Sequence, residues 1–269
     1  MAAYNFIDEN YIFNNFQKII RKEDKVIVLY SGIWSFINQL SFKENIAKKI
    51  LDIIEEIVTI NRTLILPAFS SNIFLKSGNF FLEKSIDNKN GILPAEALKR
   101  KYYYRTPQPL HSYLIYGKKI NEIKKLKLET SWGKTSVLEW VSRNNGRICV
   151  MGVPWNYGCS YLHRFEEKYK VPWRYFKTYN GKIIFRNTIK NCHEKKYSAP
   201  ENNILKYDFK PFTNFLKKKK IFLKFQSKFI LESTTAHEIN CYAKKFFKDN
   251  NFWKIIKNKK DIKNWIKNK

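Results

Sequence analysis

The sequence of 269 residues is poor in acid, in cysteine and in long apolar runs, and each shortage removes a class of protein. No stretch approaches the roughly 20 consecutive apolar residues of a membrane span. The opening MAAYNFIDEN is interrupted at Asn5 and Asp8, so it carries no apolar core of a secretory leader. A soluble, cytoplasmic protein is expected. The four cysteines, Cys149, Cys159, Cys192 and Cys241, are scattered, which excludes a disulfide framework and a paired-thiol zinc site and makes reduced thiols the default. Cys192-His193-Glu194 has no second ligand pair at zinc spacing, so no metal is expected.

Acid is the most telling shortage. There are 23 Asp and Glu against 51 Lys and Arg, a formal charge of +28. Such an excess normally points to nucleic acid or an anionic membrane. Here it is mostly lysine, spread from Lys18 to Lys269 among abundant Asn, Ile, Phe and Tyr, as an AT-rich coding sequence produces. The Arg-rich, Gly-punctuated and aromatic-ribbon patterns of nucleic-acid modules are missing, and no nucleic-acid partner is expected. The field still attracts anionic ligands such as pyrophosphate cofactors and sugar nucleotides. The tail KIIKNKKDIKNWIKNK reads as a solvated amphipathic helix or, alternatively, as a peripheral contact with anionic lipid.

What is present is a well-patterned core, with 44% hydrophobic and 16% aromatic residues. Residues 8–22 have helical periodicity, Lys25 to Tyr30 form a buried-type strand, Lys43 to Thr59 an amphipathic helix, and Arg62 to Leu66 a second strand ending at Pro67. This β-α-β order predicts an α/β fold with parallel pairing and a right-handed crossover. Residues 67–91 read as a long loop or flap, and Leu93 to Arg100 as a short helix. Strands are expected at Ser112 to Tyr116 and Arg147 to Val153, with short helices between them at about 121–126 and 136–141. In VPWRYFKTYNGKIIFRN, two alternating runs are split by Tyr179-Asn180-Gly181, the signature of a tight hairpin. A strand at Ile221 to Phe225 and a helix capped by Thr235, with Glu238 three residues on, complete the reading.

The densest chemistry lies in MGVPWNYGCSYLHRFEEKYKVPWR, Met151 to Arg174. A strand enters a Gly-containing loop and then a helix bearing His163, with Glu166 and Glu167 one turn further on. That places an imidazole and a carboxylate on one helix face, beyond the carboxyl end of a strand, where open α/β sheets collect ligands. A neutral imidazole accepts a proton, and a carboxylate on its far nitrogen fixes the tautomer. The pair reads equally as an exposed His and Glu on a solvated helix. Cys159, four residues before His163, leaves open a thiolate route through an acyl-enzyme, although a loop cysteine is more often packing. The turn LYSGIW offers backbone amides with Gly32 allowing close approach to a phosphate, without a full nucleotide-binding fingerprint.

In order along the chain, VIVLYSGI, TLILPAFS, GILPAEALKR, RTPQPLHSYLIYG, SWGKTSVL and VMGVPWNYGCSYLHRFEEKYKVPWR resemble the aminoglycoside 3-N-acetyltransferase family, also called the antibiotic N-acetyltransferases. The resemblance spans about residues 25–182. It implies a three-layer α/β/α fold with a mostly parallel central sheet, here joined by an antiparallel hairpin and a Lys-rich C-terminal extension of about 183–269 in a single domain, 1–269. It also implies transfer of acetyl from acetyl-CoA, without a metal, to an amine of an amino sugar. The family's H-x-x-E falls on His163 and Glu166, selecting Glu166 over Glu167, and the hydroxyl before that His on Ser160. The coenzyme side falls on Tyr30, Ser31, Gly32, Ile33, Arg105 and Ser112. The acceptor side falls on Glu96, Gln108 and Trp155. Gln108 replaces the usual His of the R-S-x-H-P turn, Tyr30 and Gly32 alter the usual H-S-S-L, and Cys159 stands where Asn is common.

Three functions remain open on sequence. The first is an acetyl-CoA-dependent N-acetyltransferase for a neutral or anionic amino sugar, nucleotide- or lipid-linked as in surface-polysaccharide synthesis, because a chain at +28 is a poor host for a polycationic drug. The second is a resistance enzyme acting on aminoglycosides. The third, of another class, is a basic protein that binds nucleic acid or membrane through a degenerate acetyltransferase fold.

Overall fold

In a computed structural model, residues 6–84, 86–201, 204–225, 227–248 and 251–268 are described; residues 1–5, part of the stretch read as lacking a leader, and Lys269 of the tail lie outside them. Ten strands occur among these residues: β1 (Val26–Ser31), β2 (Thr63–Pro67), β3 (Asn79–Phe81), β4 (Tyr104–Arg105), β5 (Tyr113–Gly117), β6 (Arg147–Met151), β7 (Tyr175–Phe185), β8 (Thr188–Ser198), β9 (Leu223–Lys224) and β10 (Leu231–Thr235). Seven form one sheet in the order β4-β5-β2-β1-β6-β10-β9. Its centre, β2-β1-β6, is parallel, and the strands added on either side are antiparallel.

Period-two alternation explains the layering. On β1, Val26, Val28 and Tyr30 enter one apolar cluster, while Ile27 and Leu29 enter another on the opposite face. A strand buried on both faces must be hydrophobic throughout, as VIVLY is. One cluster is closed by the helices Glu9–Lys18, Ile46–Val58 and Ile92–Leu98, the other by Val137–Arg143, His163–Lys168, Lys210–Lys218 and Ala236–Lys248. The result is the expected α/β/α arrangement with a parallel centre. Ala236–Lys248 begins with the anticipated reciprocal cap: Thr235 N–H donates to Glu238 Oε2 at 3.0 Å and Glu238 N–H to Thr235 Oγ1 at 3.2 Å.

Beneath the sheet's amino ends, the guanidinium of Arg147 on β6 pairs with Asp24, both buried, tying the entry of β1 to β6. The Lys-rich extension is structural. It contributes β9 and β10 to the main sheet, and its helices supply Phe212, Leu216, Phe246 and Phe247 to the core. Even the tail helix Lys259–Lys267 turns Ile262 and Ile266 onto that core, which leaves its lysines as the solvated side. No helix among the described residues is long and apolar enough to cross a membrane.

Two expectations are corrected. Residues 67–91 are not a loop, because they contain the helix Ser71–Ser77 and β3, which pairs in parallel with β7. Seven residues are too few to show a helical period, and β3 depends on a partner about a hundred residues away. The hairpin also does not turn at Asn180-Gly181. β7 runs straight through both, and the chain reverses between Phe185 and Thr188, with Arg186 at φ 50°. Gly181 serves a different need: a Cβ there would lie 2.3 Å from the Gly78 carbonyl oxygen and 2.5 Å from the Phe74 ring. Glycine lets the segment around β3 press against the hairpin.

Gly181→Ala should therefore destabilise the fold by more than about 1 kcal/mol, whereas Arg186→Gly, at a left-handed position, should be neutral or stabilising. Urea unfolding of the two variants checks this, and the reverse order would restore the turn at Asn180-Gly181.

Candidate active site

The carboxyl ends of β1 and β6 meet at two glycines. Gly32 N–H donates to the Met151 carbonyl at 2.8 Å. Gly152, at φ 69°, comes so near that a Cβ on it would stand 2.3 Å from the Gly32 carbonyl oxygen. This contact brings the turn after β1 against the loop after β6, and a cleft of about 980 Å³ opens beside them. Tyr30, Ser31, Cys159, Ser160 and His163 all line it. Gly32 and the buried Ile33 shape the turn from behind.

His163 opens the helix His163–Lys168, and Glu166 follows on the same face with no exposed surface. The imidazole Nδ1 lies 2.7 Å from Glu166 Oε2. Two further groups hold the carboxylate: Trp173 Nε1 donates to Oε1 at 3.1 Å, and Arg174 Nη2 lies 2.8 Å from Oε2. Burial alone would raise this carboxyl, but Arg174 and His163 outweigh it and hold it near about 2. An anion on Nδ1 keeps the proton there and leaves Nε2 with its lone pair. Burial lowers the affinity of His163 for a second proton; Glu166 opposes that, and the charges of Arg174 and Lys196 reinforce it. The site therefore holds an anchored, neutral base. Ser160 Oγ donates to the Tyr30 hydroxyl at 3.1 Å, and burial keeps that phenol protonated.

Cys159 is removed from consideration as a nucleophile. It is buried, and desolvation pushes its thiol far above the usual range, so the acyl-enzyme route has no thiolate to begin from.

Five other expected site residues lie away from the cleft wall. Arg105 is buried, donating to the Ala68 carbonyl, Ser70 Oγ and Ser112 Oγ, and it staples β4 to the end of β2. Ser112 in turn donates to the Ala68 carbonyl. Gln108 is fully buried and donates from Nε2 to the Thr130 carbonyl at 2.8 Å. Trp155 is packed against Phe222. Glu96 is mostly covered, its side chain 16% exposed, and pairs with Lys99 at 2.8 Å. A sequence motif does not distinguish a wall from the frame behind it.

The structure adds residues that the sequence did not reveal. Glu194, on the inward row of β8, accepts from Ser131 Oγ at 2.6 Å and the Leu110 amide at 2.7 Å, and lies 3.3 Å from His111 Nδ1. Burial holds His111 down to about 4, so it is neutral. Trp132 lies between the two imidazoles, 4.1 Å from the His111 ring and 5.7 Å from that of His163. Tyr207 and Phe209 meet the His163 ring edge-on at 5.7 and 5.1 Å. Inward alternation along β8 was the available signal for Glu194. Among the described residues, no group of three His, Cys, Asp or Glu could hold a metal ion.

Treatment with iodoacetamide under native conditions should leave Cys159 unmodified while labelling the exposed Cys241. Rapid labelling of Cys159, read by peptide mass spectrometry, would reopen the thiolate route.

The family model for aminoglycoside 3-N-acetyltransferases matches residues 35–239. No curated protein matches the sequence. Among solved structures, the fold is similar to the AAC-IIIb complex with coenzyme A (TM-score 0.75, 15% identity, covering 91% of this chain and 97% of that one). It is also similar to the aminoglycoside acetyltransferase AAC(3)-IVa apoenzyme (0.72, 14%, 93% and 92%). A third likeness is to the YokD protein from Bacillus subtilis (0.68, 15%, 89% and 98%). At these identities the likenesses concern the fold, and the family match, which covers about three quarters of the chain, carries the assignment: the protein belongs to the aminoglycoside 3-N-acetyltransferase family.

Proposed function

We propose that the protein is an acetyl-CoA-dependent N-acetyltransferase in which His163 is the general base, Glu166 its orienting partner, and the acceptor a neutral or anionic amino sugar. The observation that carries this reading is the His163–Glu166 pair at the cleft wall, with both carboxylate oxygens engaged.

An amine at neutral pH is an ammonium ion with no lone pair, so it must surrender a proton before it attacks. Nε2 of His163 takes that proton, and the Glu166 carboxylate stabilises the resulting imidazolium. When bound, acetyl-CoA supplies an activated acetyl carbon whose bond to sulphur is exchanged for one to nitrogen. The residues present suit that group. Leu29, Pro67 and Val153 give the cleft an apolar stretch for a pantetheine arm, Ser31 and Asn72 offer polar contacts along it, and Lys89 offers a cation for phosphate. The hydroxyls of Ser160 and Tyr30 are candidate donors to the acetyl oxygen.

The acceptor class follows from charge. AAC(3)-IVa and AAC-VIa have been solved with a gentamicin and with sisomicin, both polycations. In this chain, two carboxylates line the cleft among the described residues, Asp87 and Asp208, and both are occupied. Asp87 accepts from the Asn72 and Ile73 amides. Asp208 accepts from Asn156 and the Lys210 amide. Two carboxylates are few for holding several ammonium groups, whereas Lys89 and the overall +28 favour an acceptor on an anionic carrier such as a nucleotide or lipid phosphate, the form used in surface-polysaccharide synthesis. The reading as a resistance enzyme draws on family membership. A degenerate, purely binding role sits poorly with an intact base pair.

His163→Ala should lower kcat by about 10²–10⁴-fold while calorimetry records unchanged affinity for coenzyme A; an unaltered kcat would remove His163 from the reaction. Assayed by thiol release, amino-sugar nucleotides should give higher kcat/KM than gentamicin or sisomicin. Turnover confined to the polycations would instead establish the resistance activity.

A further inference from the structure

The base of the β7–β8 hairpin stands directly behind the catalytic pair. Arg174 is the residue before β7, and Lys196 lies on β8 opposite Lys177, two residues from the end where Tyr175 meets Ser198. Both cations belong to the same end of the same hairpin, and both positive charges act on His163. The Arg174 guanidinium is buried, 2.8 Å from Glu166 Oε2 and 3.4 Å from Nδ1 of His163. It therefore touches the two partners of the dyad at the bond between them. Tyr207 lies under the guanidinium, 5.8 Å from its centre.

We propose that Arg174 is a positioning residue, assisted by Lys196, through which the hairpin holds the dyad as neutral imidazole and carboxylate and so sets the lower pH bound of catalysis. This rests on the reading of His163 as the base. A carboxylate alone beside a histidine stabilises the imidazolium and would leave the base already protonated at neutral pH. A fixed cation on the same oxygen cancels that attraction without breaking the hydrogen bond that aims the ring. The groups facing His163 are Glu166 on its own helix, Arg174 and Lys196 from the hairpin, His111 from the segment before β5 and Tyr207 from the segment before the helix Lys210–Lys218. Of these, only Glu166 favours the protonated ring; His111 and Tyr207 are neutral near pH 7. Lys196, pulled down to about 8 by burial and by Arg174, still carries charge through the acidic and neutral range. The sign follows: removing either positive charge stabilises protonated His163 and moves the onset of activity to higher pH.

The test uses the full chain with ¹³C-labelled histidine. The His163 resonance is identified by its loss in His163→Gln and titrated by NMR without substrate, so the outcome does not depend on knowing the acceptor. In Arg174→Met the His163 midpoint should rise by about one pH unit, a tenfold gain in proton affinity, and Arg174→Lys should restore most of the original value. Lys196→Met, which leaves the Glu166 hydrogen bonds in place, should raise the midpoint in the same direction by a smaller amount. The acid limb of kcat/KM should move with the NMR midpoint, so that activity at pH 6 falls several-fold more than at pH 8.5. If Arg174→Met fails to fold, Lys196→Met alone decides. A midpoint unchanged in the folded variants, or a rate loss equal at all pH values, overturns the proposal, whereas an inactive wild-type protein with the expected midpoints would overturn only the assignment of acetyl transfer.

Discussion

The buried Glu166 carboxylate is the point on which the site turns. An isolated carboxylate in a dry interior is costly enough that it would take up a proton. Here it remains an anion because Trp173, Arg174 and His163 all donate to it. Each donor arrives from a different requirement of the fold. His163 is fixed by the loop after β6, and Trp173 is held in the core beside Phe252 and Trp253. Arg174 is delivered at the entry to β7. The position of the His163 imidazole, the proposed base, is thus inseparable from the packing of the hairpin and of the C-terminal segment, so the Lys-rich extension belongs to the architecture of the candidate site and is not an appendage to it.

Scarcity of acid acquires a meaning in this setting. Three of the buried carboxylates hold cations, hydroxyls or amides in the interior: Asp24 holds Arg147, Glu166 holds Arg174, and Glu194 holds Ser131 and the Leu110 amide beside His111. Glu139, partly exposed, joins Arg164 in the same way. The surplus lysines remain outside, several with their ammonium groups over aromatic rings, as with Lys170 and Lys195 on Phe176. Such contacts are worth little individually at exposed sites. Their collective effect is a positive exterior around a cleft that two carboxylates line among the described residues, Asp87 and Asp208.

The second buried unit, His111 with Glu194 and Ser131, repeats the imidazole–carboxylate theme without reaching the cleft wall. It secures the wall on which Trp132 lies, and Trp132 backs the His163 ring. A rigid frame behind a base preserves its aim, and misplacement by about an ångström is enough to forfeit much of the advantage of orientation.

Much of this was legible in the residues themselves. Continuous apolar runs in VIVLY and TLIL read as strands buried on both faces, the spacing of His163 and Glu166 placed them on one helix face, and Thr235 with Glu238 announced a helix start, because each of these features is local. The motif blocks carried the family but could not separate the cleft residues Ser31 and Ser160 from the frame residues Arg105, Gln108 and Trp155, since a motif records both alike. Asn180-Gly181 misled because a glycine admitted for close packing against Phe74 has the same letter as one admitted for a turn. Glu194 and Lys196 came near the site only when a hairpin folded back over a helix, and contacts made between segments distant in sequence leave no period in either of them, while Arg174, eight residues after Glu166, stood within the motif block with no spacing rule to mark it. Sequence alone determined the elements and the chemistry available; tertiary packing decided which acids lost their water, which cations stood beside them, and therefore which imidazole is free to accept a proton.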